Sequence, residues 1–156
     1  MKIDVPGSSS RLGIAVVLLV GVATMGYGAY SYVEQTSALG DAEQVEATIV
    51  ETGVETVDQR RGTAYAPAAT FNYTYGGESY SSSNVYPGPL PRELNSRQAA
   101  RDVVAEYERG ETVTAYVPAE RPKKAYLLKE SSDKPLLVIG FGVLFLLGGA
   151  VSAVRR

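Results

Sequence analysis

A chain of 156 residues has room for one small domain beside two membrane-length segments, and for little else. It contains no cysteine and no histidine, which excludes disulfide staples and removes the commonest metal ligand and the usual proton-transfer side chain. The mean hydropathy of −0.05 and the net charge of −2 average two unlike parts, apolar ends and a polar middle.

Residues 1–11 read as a cytoplasmic tail carrying Lys2 and Arg11. Residues 12–33 (Leu12 to Val33) are uncharged and apolar, and about 20 such residues cross a bilayer core as a helix. No Lys or Arg follows this span until Arg60, so the positive-inside rule places the N-terminus in the cytoplasm. Tyr27, Tyr30 and Tyr32 cluster at the expected outer end, as an interfacial belt does. A cleaved signal peptide shares the basic start and the small residues near Gly26 and Gly28, but has a shorter apolar run. Gly21, Thr24 and Gly28 fall on one face of the first helix.

Residues 34–44 read as a polar stalk, and residues 45–128 as the folded extracytoplasmic domain. In Val45–Val57 the alternation changes parity near Ile49, which predicts a bulged strand. Asp58–Gly62 is a polar turn. Ala69–Tyr75 alternates Phe71, Tyr73 and Tyr75 against Asn72 and Thr74, the pattern of a strand with one core face. Gly76-Gly77 predicts a tight hairpin turn, with Glu78–Tyr86 as the returning strand. Tyr86–Pro91 is too rich in proline for a central strand. A helix is expected over Asn95–Arg109, capped by Asn95 or Ser96, with Ala99, Ala100, Val103, Val104 and Tyr107 as its apolar stripe and Gly110 just past its end. Thr112–Val117 alternates as a strand, and Ala125–Leu128 reads as a short last one.

Residues 129–134 form a second stalk, residues 135–154 (Pro135 to Val154) a second uncharged span, and residues 155–156 a short cytoplasmic tail. Arg155 and Arg156 agree with both termini inside. The bases Arg121, Lys123, Lys124, Lys129 and Lys134 lie on the other side, where the long connection weakens the rule. Gly142 and Gly149 stand one heptad apart, and Gly149 with Ala153 makes a small-x-x-x-small pair. Small faces allow close helix approach, within one chain or in a homo-oligomer; glycine is also simply frequent in membrane helices. Neither span holds an ionisable residue, which argues against a proton or ion path. The expected fold is therefore an α+β membrane protein: two transmembrane helices flanking a small antiparallel β domain of about five strands with one covering α-helix. Both a curled barrel and an open sheet satisfy this pattern.

Tyr65-Ala66-Pro67, Tyr73, Tyr75, Gly77 and Tyr80, then Tyr107, Gly110, Val113, Tyr116-Val117-Pro118, Pro122 and Ala125-Tyr126-Leu127, together resemble the domain-of-unknown-function 3592 family. The resemblance implies such a domain placed between or beside membrane helices. It supplies no established activity and so no catalytic or ligand residues. Val117 and Arg121 stand where the family pattern has Asp and Asn.

Several residues invite chemistry. Ser131 and Lys134 match S-x-x-K, but in a stalk without the further motifs of acylating enzymes. Asp102, Glu106, Glu108 and Glu111 could face a hard cation, yet lack any calcium-loop spacing, and a solvated acidic face explains them. Residues 34–134 carry eleven basic against sixteen acidic residues, which argues against nucleic-acid binding. Arg121, Lys123 and Lys124 can meet anionic headgroups or stand as a solvated turn. Asn72-Tyr-Thr74 is an N-glycosylation sequon. Of eight tyrosines between Tyr65 and Tyr126, Tyr80 and Tyr86 are the candidates for an interaction surface, against core packing for the rest.

The sequence thus favours a non-enzymatic, membrane-anchored interaction or accessory module at the cell membrane, needing no cofactor. Its expected partners are the lipid bilayer and either another protein or a second copy through the transmembrane helices. A small-ligand or cation sensor is the competing expectation; its tails are too short for an output domain, so its signal would pass through helix pairing. An enzyme would have to work with carboxylates, Ser or Lys alone.

Overall fold

The computed structural model describes residues 11–155. The expected N-terminal tail before Arg11, and Arg156, lie outside the described residues. In chain order the elements are α1 (Arg11–Gly40), β1 (Ala42–Gln59), β2 (Gly62–Tyr75), β3 (Glu78–Ser82), α2 (Arg97–Val104), β4 (Thr112–Pro118), a 3₁₀ turn (Pro122–Lys124) and α3 (Lys134–Val154). The described residues divide into two compact units, one of residues 11–33 with 133–155 and one of residues 34–132.

The first unit is the helix pair. α1 and α3 are long and apolar enough to cross a membrane. Their outward side chains stay bare: Leu12, Leu19, Phe141 and Leu144 are each exposed by 60% or more.

The second unit is an open antiparallel sheet in the order β3-β2-β1-β4. The expected fifth strand is not there. Tyr126 exchanges two backbone hydrogen bonds with Tyr116, at 2.8 and 3.0 Å, and the pairing stops at that bridge. The amides of Leu127 and Leu128 turn instead to the carbonyl of Val85. β1 carries its bulge between Ile49 and Glu51, where the side-chain parity switches. The Gly76-Gly77 turn has both φ values positive, +58° and +83°, which the right-handed twist of a two-residue hairpin requires.

α2 is shorter than the apolar stripe suggests. Ser96 caps it, its Oγ accepting from the Ala99 amide at 3.1 Å. It ends at Val104 because the following residues find other partners. The Glu108 amide donates to the Glu111 carboxylate, and the Gly110 amide to the Ile49 carbonyl at 2.7 Å. β3 likewise stops at Ser82, four residues before Tyr86, because Ser82 Oγ donates to the Ala125 carbonyl and Val85 drops into the core. The sheet face under α2 is the core, with Phe71, Ile49 and Val117 as its largest fully buried side chains and Ala100 and Val104 facing them from the helix.

The stretch expected as a polar stalk is folded. Residues 34–40 are the last turns of α1, and β1 begins at Ala42. Glu34, Gln35 and Ala38 are buried.

Candidate functional site

The most constructed polar arrangement surrounds the last turns of α1. Glu34, Gln35 and Ala38 recur at helical spacing and present one face to the domain. The Glu34 side chain is only 5% exposed, and its Oε1 accepts from Arg121 at 2.6 Å and from Lys124 at 2.7 Å. Both cations come from the turn that leaves β4. Pro122 starts a 3₁₀ turn there, which holds Arg121 and Lys124 on the same side. A buried carboxylate without such partners would lose its hydration with little return. One residue on, the Gln35 amide makes a reciprocal pair with the Ser132 backbone: Nε2 donates to the carbonyl at 2.9 Å, and Oε1 accepts from the amide at 3.2 Å. Gly88, with φ of +91°, passes so close that a Cβ would lie 3.3 Å from Gln35 Cβ. One turn further, the Tyr126 hydroxyl donates to the Ala38 carbonyl at 2.8 Å. Burial, with the neighbouring Tyr116 second, pushes the Tyr126 hydroxyl up to about 12.

The tyrosines belong mainly to the interior. None of the eight between Tyr65 and Tyr126 is fully exposed. Tyr73 stacks on Tyr80 and donates to the Pro122 carbonyl; burial raises its pKa. Tyr80 is half-buried, and its hydroxyl donates to Glu78 at 2.7 Å, which is the main cause of its raised pKa. Tyr86 packs against the core under the Arg92 guanidinium, 4.5 Å from the ring centre, and burial raises its pKa too. The sheet face turned away from α2 is polar and open, a shallow depression floored by Thr48, Asn72, Thr74, Ser79 and Ser81. The sequon residue Asn72 is exposed on it.

The other candidates are scattered. Lys123 is exposed beside its two engaged neighbours. Ser131 is exposed just before α3. Asp102 accepts from Gln98 and Glu111 caps the turn after α2, so both have local structural partners. Among the described residues no three of His, Cys, Asp or Glu converge to hold a metal ion.

In the helix unit, four of the six small residues singled out in the spans meet the opposite helix. Gly21 faces Leu146, Gly28 faces Ile139, Gly142 faces Met25 and Gly149 faces Leu18, an antiparallel pairing. A Cβ on Gly142 would lie 2.6 Å from the Met25 amide nitrogen, and one on Gly28 2.8 Å from that of Ile139. Thr24 is half-buried, and Ala153 is exposed.

Residues 45–132 match the family model described as Domain of unknown function (DUF3592). The chain belongs to that family. No curated protein matches it. Within the DUF3592 domain the residues that carried the resemblance have identifiable physical work. Tyr73 and Tyr126 are buried tyrosines with carbonyl partners. Ala125 and Leu127 are buried on either side of Tyr126, so Pro-x-x-Ala-x-Leu is a turn followed by three core residues. Val117 is fully buried, and Arg121 is one of the two cations on Glu34. The match begins at Val45 and therefore omits Glu34, Gln35 and Ala38. Sequence reasoning missed these three as well. The available signal was a helical run of Glu34, Gln35 and Ala38 continuing an apolar span without a break.

Proposed function

We propose that this chain is a membrane-anchored accessory module: both helices span the membrane, both termini are cytoplasmic, and the DUF3592 domain stands outside as a non-enzymatic interaction surface. The observation that carries this reading is the docking of residues 34–40 into the domain. A domain only tethered to a span needs no buried Glu34 under two cations. One whose attachment matters for its task does, because each buried polar contact costs stability unless it is completed. The polar sheet face is the surface offered to a partner, with Tyr80, Tyr86 and Lys123 as separate candidates beside it. The test is recovery of complexes cross-linked in intact cells, comparing the native chain with Thr48→Arg and Ser81→Arg, which alter that face without touching the core. The reading expects one protein enriched with the native chain and lost with both variants. Recovery of the same set from all three chains, or of the chain alone, contradicts it.

A second reading, a ligand or cation sensor acting through helix pairing, draws support from the close glycine contacts between α1 and α3. It expects a rise in melting temperature with some member of a metabolite and metal panel; no rise across the panel removes it.

A further inference from the structure

We infer that the outer edge of β1, from Thr52 to Asp58, pairs antiparallel with the same edge of a second copy of this chain, about a two-fold axis through Thr56. The inference is independent of the role proposed above.

The edge is open over a defined stretch. β4 pairs with β1 only from Ala42 to Thr48. The amide and carbonyl of Ile49 are then taken by Glu111 and Gly110, and the bulge follows. Beyond it, Glu51–Gln59 has β2 on one side and no strand on the other. The direction of the free groups follows from Tyr65. Its amide and carbonyl exchange hydrogen bonds with Leu94 at 2.9 and 2.7 Å, on the side of β2 away from β1. Thr56, opposite Tyr65, is therefore a pair without mutual hydrogen bonds, and its own amide and carbonyl point out of the sheet. By the two-residue period the same holds for Thr52, Val54 and Asp58. Pro67, opposite Val54, fits this register, since a residue without an amide hydrogen is tolerated where that hydrogen would point away from β1. Among the described residues no backbone group meets these outward amides and carbonyls.

Charge selects the occupant and the register. Neither proline nor lysine guards residues 51–59. Glu51 and Glu55 lie on the face turned away from α2, exposed, with Gly53 between them. The same strand ends at a turn holding Arg60 and Arg61. An antiparallel copy reverses this order. Centred on Thr56, it sets Val57 of one copy across from Glu55 of the other and Gln59 across from Gly53, and brings the Arg60-Arg61 turn of one copy to the Glu51 end of the other's edge. Centred on Glu55, the next register, like charges would meet directly, which destabilises a sheet. Centred on Val54, four carboxylates gather and the arginines go unmatched. The Thr56 register also joins Val54 to Asp58 of the other copy and makes roughly six new interstrand hydrogen bonds.

The absence of cysteine makes the test direct. In the full chain in mild detergent, Thr56→Cys should form a covalent dimer under gentle oxidation, because paired Cα atoms about 5.5 Å apart suit a disulfide. Val54→Cys should do so at least ten times more slowly, its two copies being about 13 Å apart along the strands. Adding Glu51→Arg to Thr56→Cys should reduce dimer yield about tenfold, and adding Arg61→Glu to that chain should restore it. Dimerisation at residue 54 rather than 56, failure of the double reversal to restore it, or a dimer held by the helices with no preference for residue 56 overturns the proposal. So does protection of Cys at 56 by an added extended Lys-rich peptide with no covalent dimer, which would assign the edge to a foreign strand.

Discussion

Replacing Glu34 by Gln tests the packing of residues 34–40 within the domain through their most buried charge. The carboxylate is 5% exposed, while Arg121 and Lys124 are 45% and 51% exposed. The substitution keeps the size and one acceptor oxygen but removes the charge. The two cations can turn to water, so neither is stranded, and the loss is that of charge-assisted hydrogen bonds rather than of an orphaned ion. That places the cost at about 1.5–3 kcal/mol. Lys124→Ala alone should cost about 1 kcal/mol or less, since Oε1 keeps Arg121 and the lysine is half in solvent. In the double variant the lysine has little charge left to lose, so the costs should fall short of additive by several tenths of a kcal/mol. Urea unfolding of the full chain in detergent gives the numbers. With no tryptophan, and with eight of the eleven tyrosines in the domain, tyrosine fluorescence reports mainly on it. A Glu34→Gln cost below about 0.5 kcal/mol, or strictly additive effects, would refute the reasoning.

Three further outcomes follow from other parts of the molecule. Tyr126 has its folded-state pKa raised to about 12 from 10.0, so the stability it contributes is fully present below pH 10 and is lost as pH rises toward 12; Tyr126→Phe should flatten that loss in a pH series of unfolding curves and should cost about 1 kcal/mol at neutral pH through the unsatisfied Ala38 carbonyl. Phe71→Ala, at a fully buried position in the middle of the sheet, should destabilise by about 3–5 kcal/mol in the same denaturant assay, the long end of core truncations. Gly142→Leu should separate α1 from α3, because its Cβ would lie 2.6 Å from the Met25 amide nitrogen, whereas a Cβ at Gly140 meets nothing within 4 Å; disulfide trapping between Cys placed at Leu18 and Gly149 should fall with Gly142→Leu and persist with Gly140→Leu.

What the sequence makes legible, and what it does not, follows from how local each signal is. The alternation of Phe71, Tyr73 and Tyr75, the glycine pair at the hairpin and the parity switch near Ile49 are local, and each appears where expected. The single covering helix and its Ser96 cap are local as well. The errors are non-local. Ala125–Leu128 has strand composition, but its neighbours in space, Tyr116 and Val85, lie in different segments and divide its hydrogen bonds between them. The expected helix loses its last turn to Ile49, far away in the chain. Residues 34–40 look like a stalk because Glu34 and Gln35 are polar; their burial depends on Arg121, Lys124 and Ser132, roughly a domain's length further on. The tyrosines show the same limit. Alternation places Tyr73 on the core face, where it is buried, but it does not show that Tyr80 and Tyr86 are themselves half-buried.

The account stands or falls on where the domain lies relative to the membrane, and single cysteines in this cysteine-free chain measure that directly. One cysteine replaces Ser81 on the open sheet face and, in a separate chain, one replaces Ser9 ahead of α1. Intact cells are treated with a membrane-impermeant maleimide, then permeabilised and treated again. The account predicts that Ser81→Cys is labelled in intact cells and Ser9→Cys only after permeabilisation. Labelling of Ser9→Cys in intact cells with Ser81→Cys protected, or recovery of both chains in the soluble fraction, would contradict it.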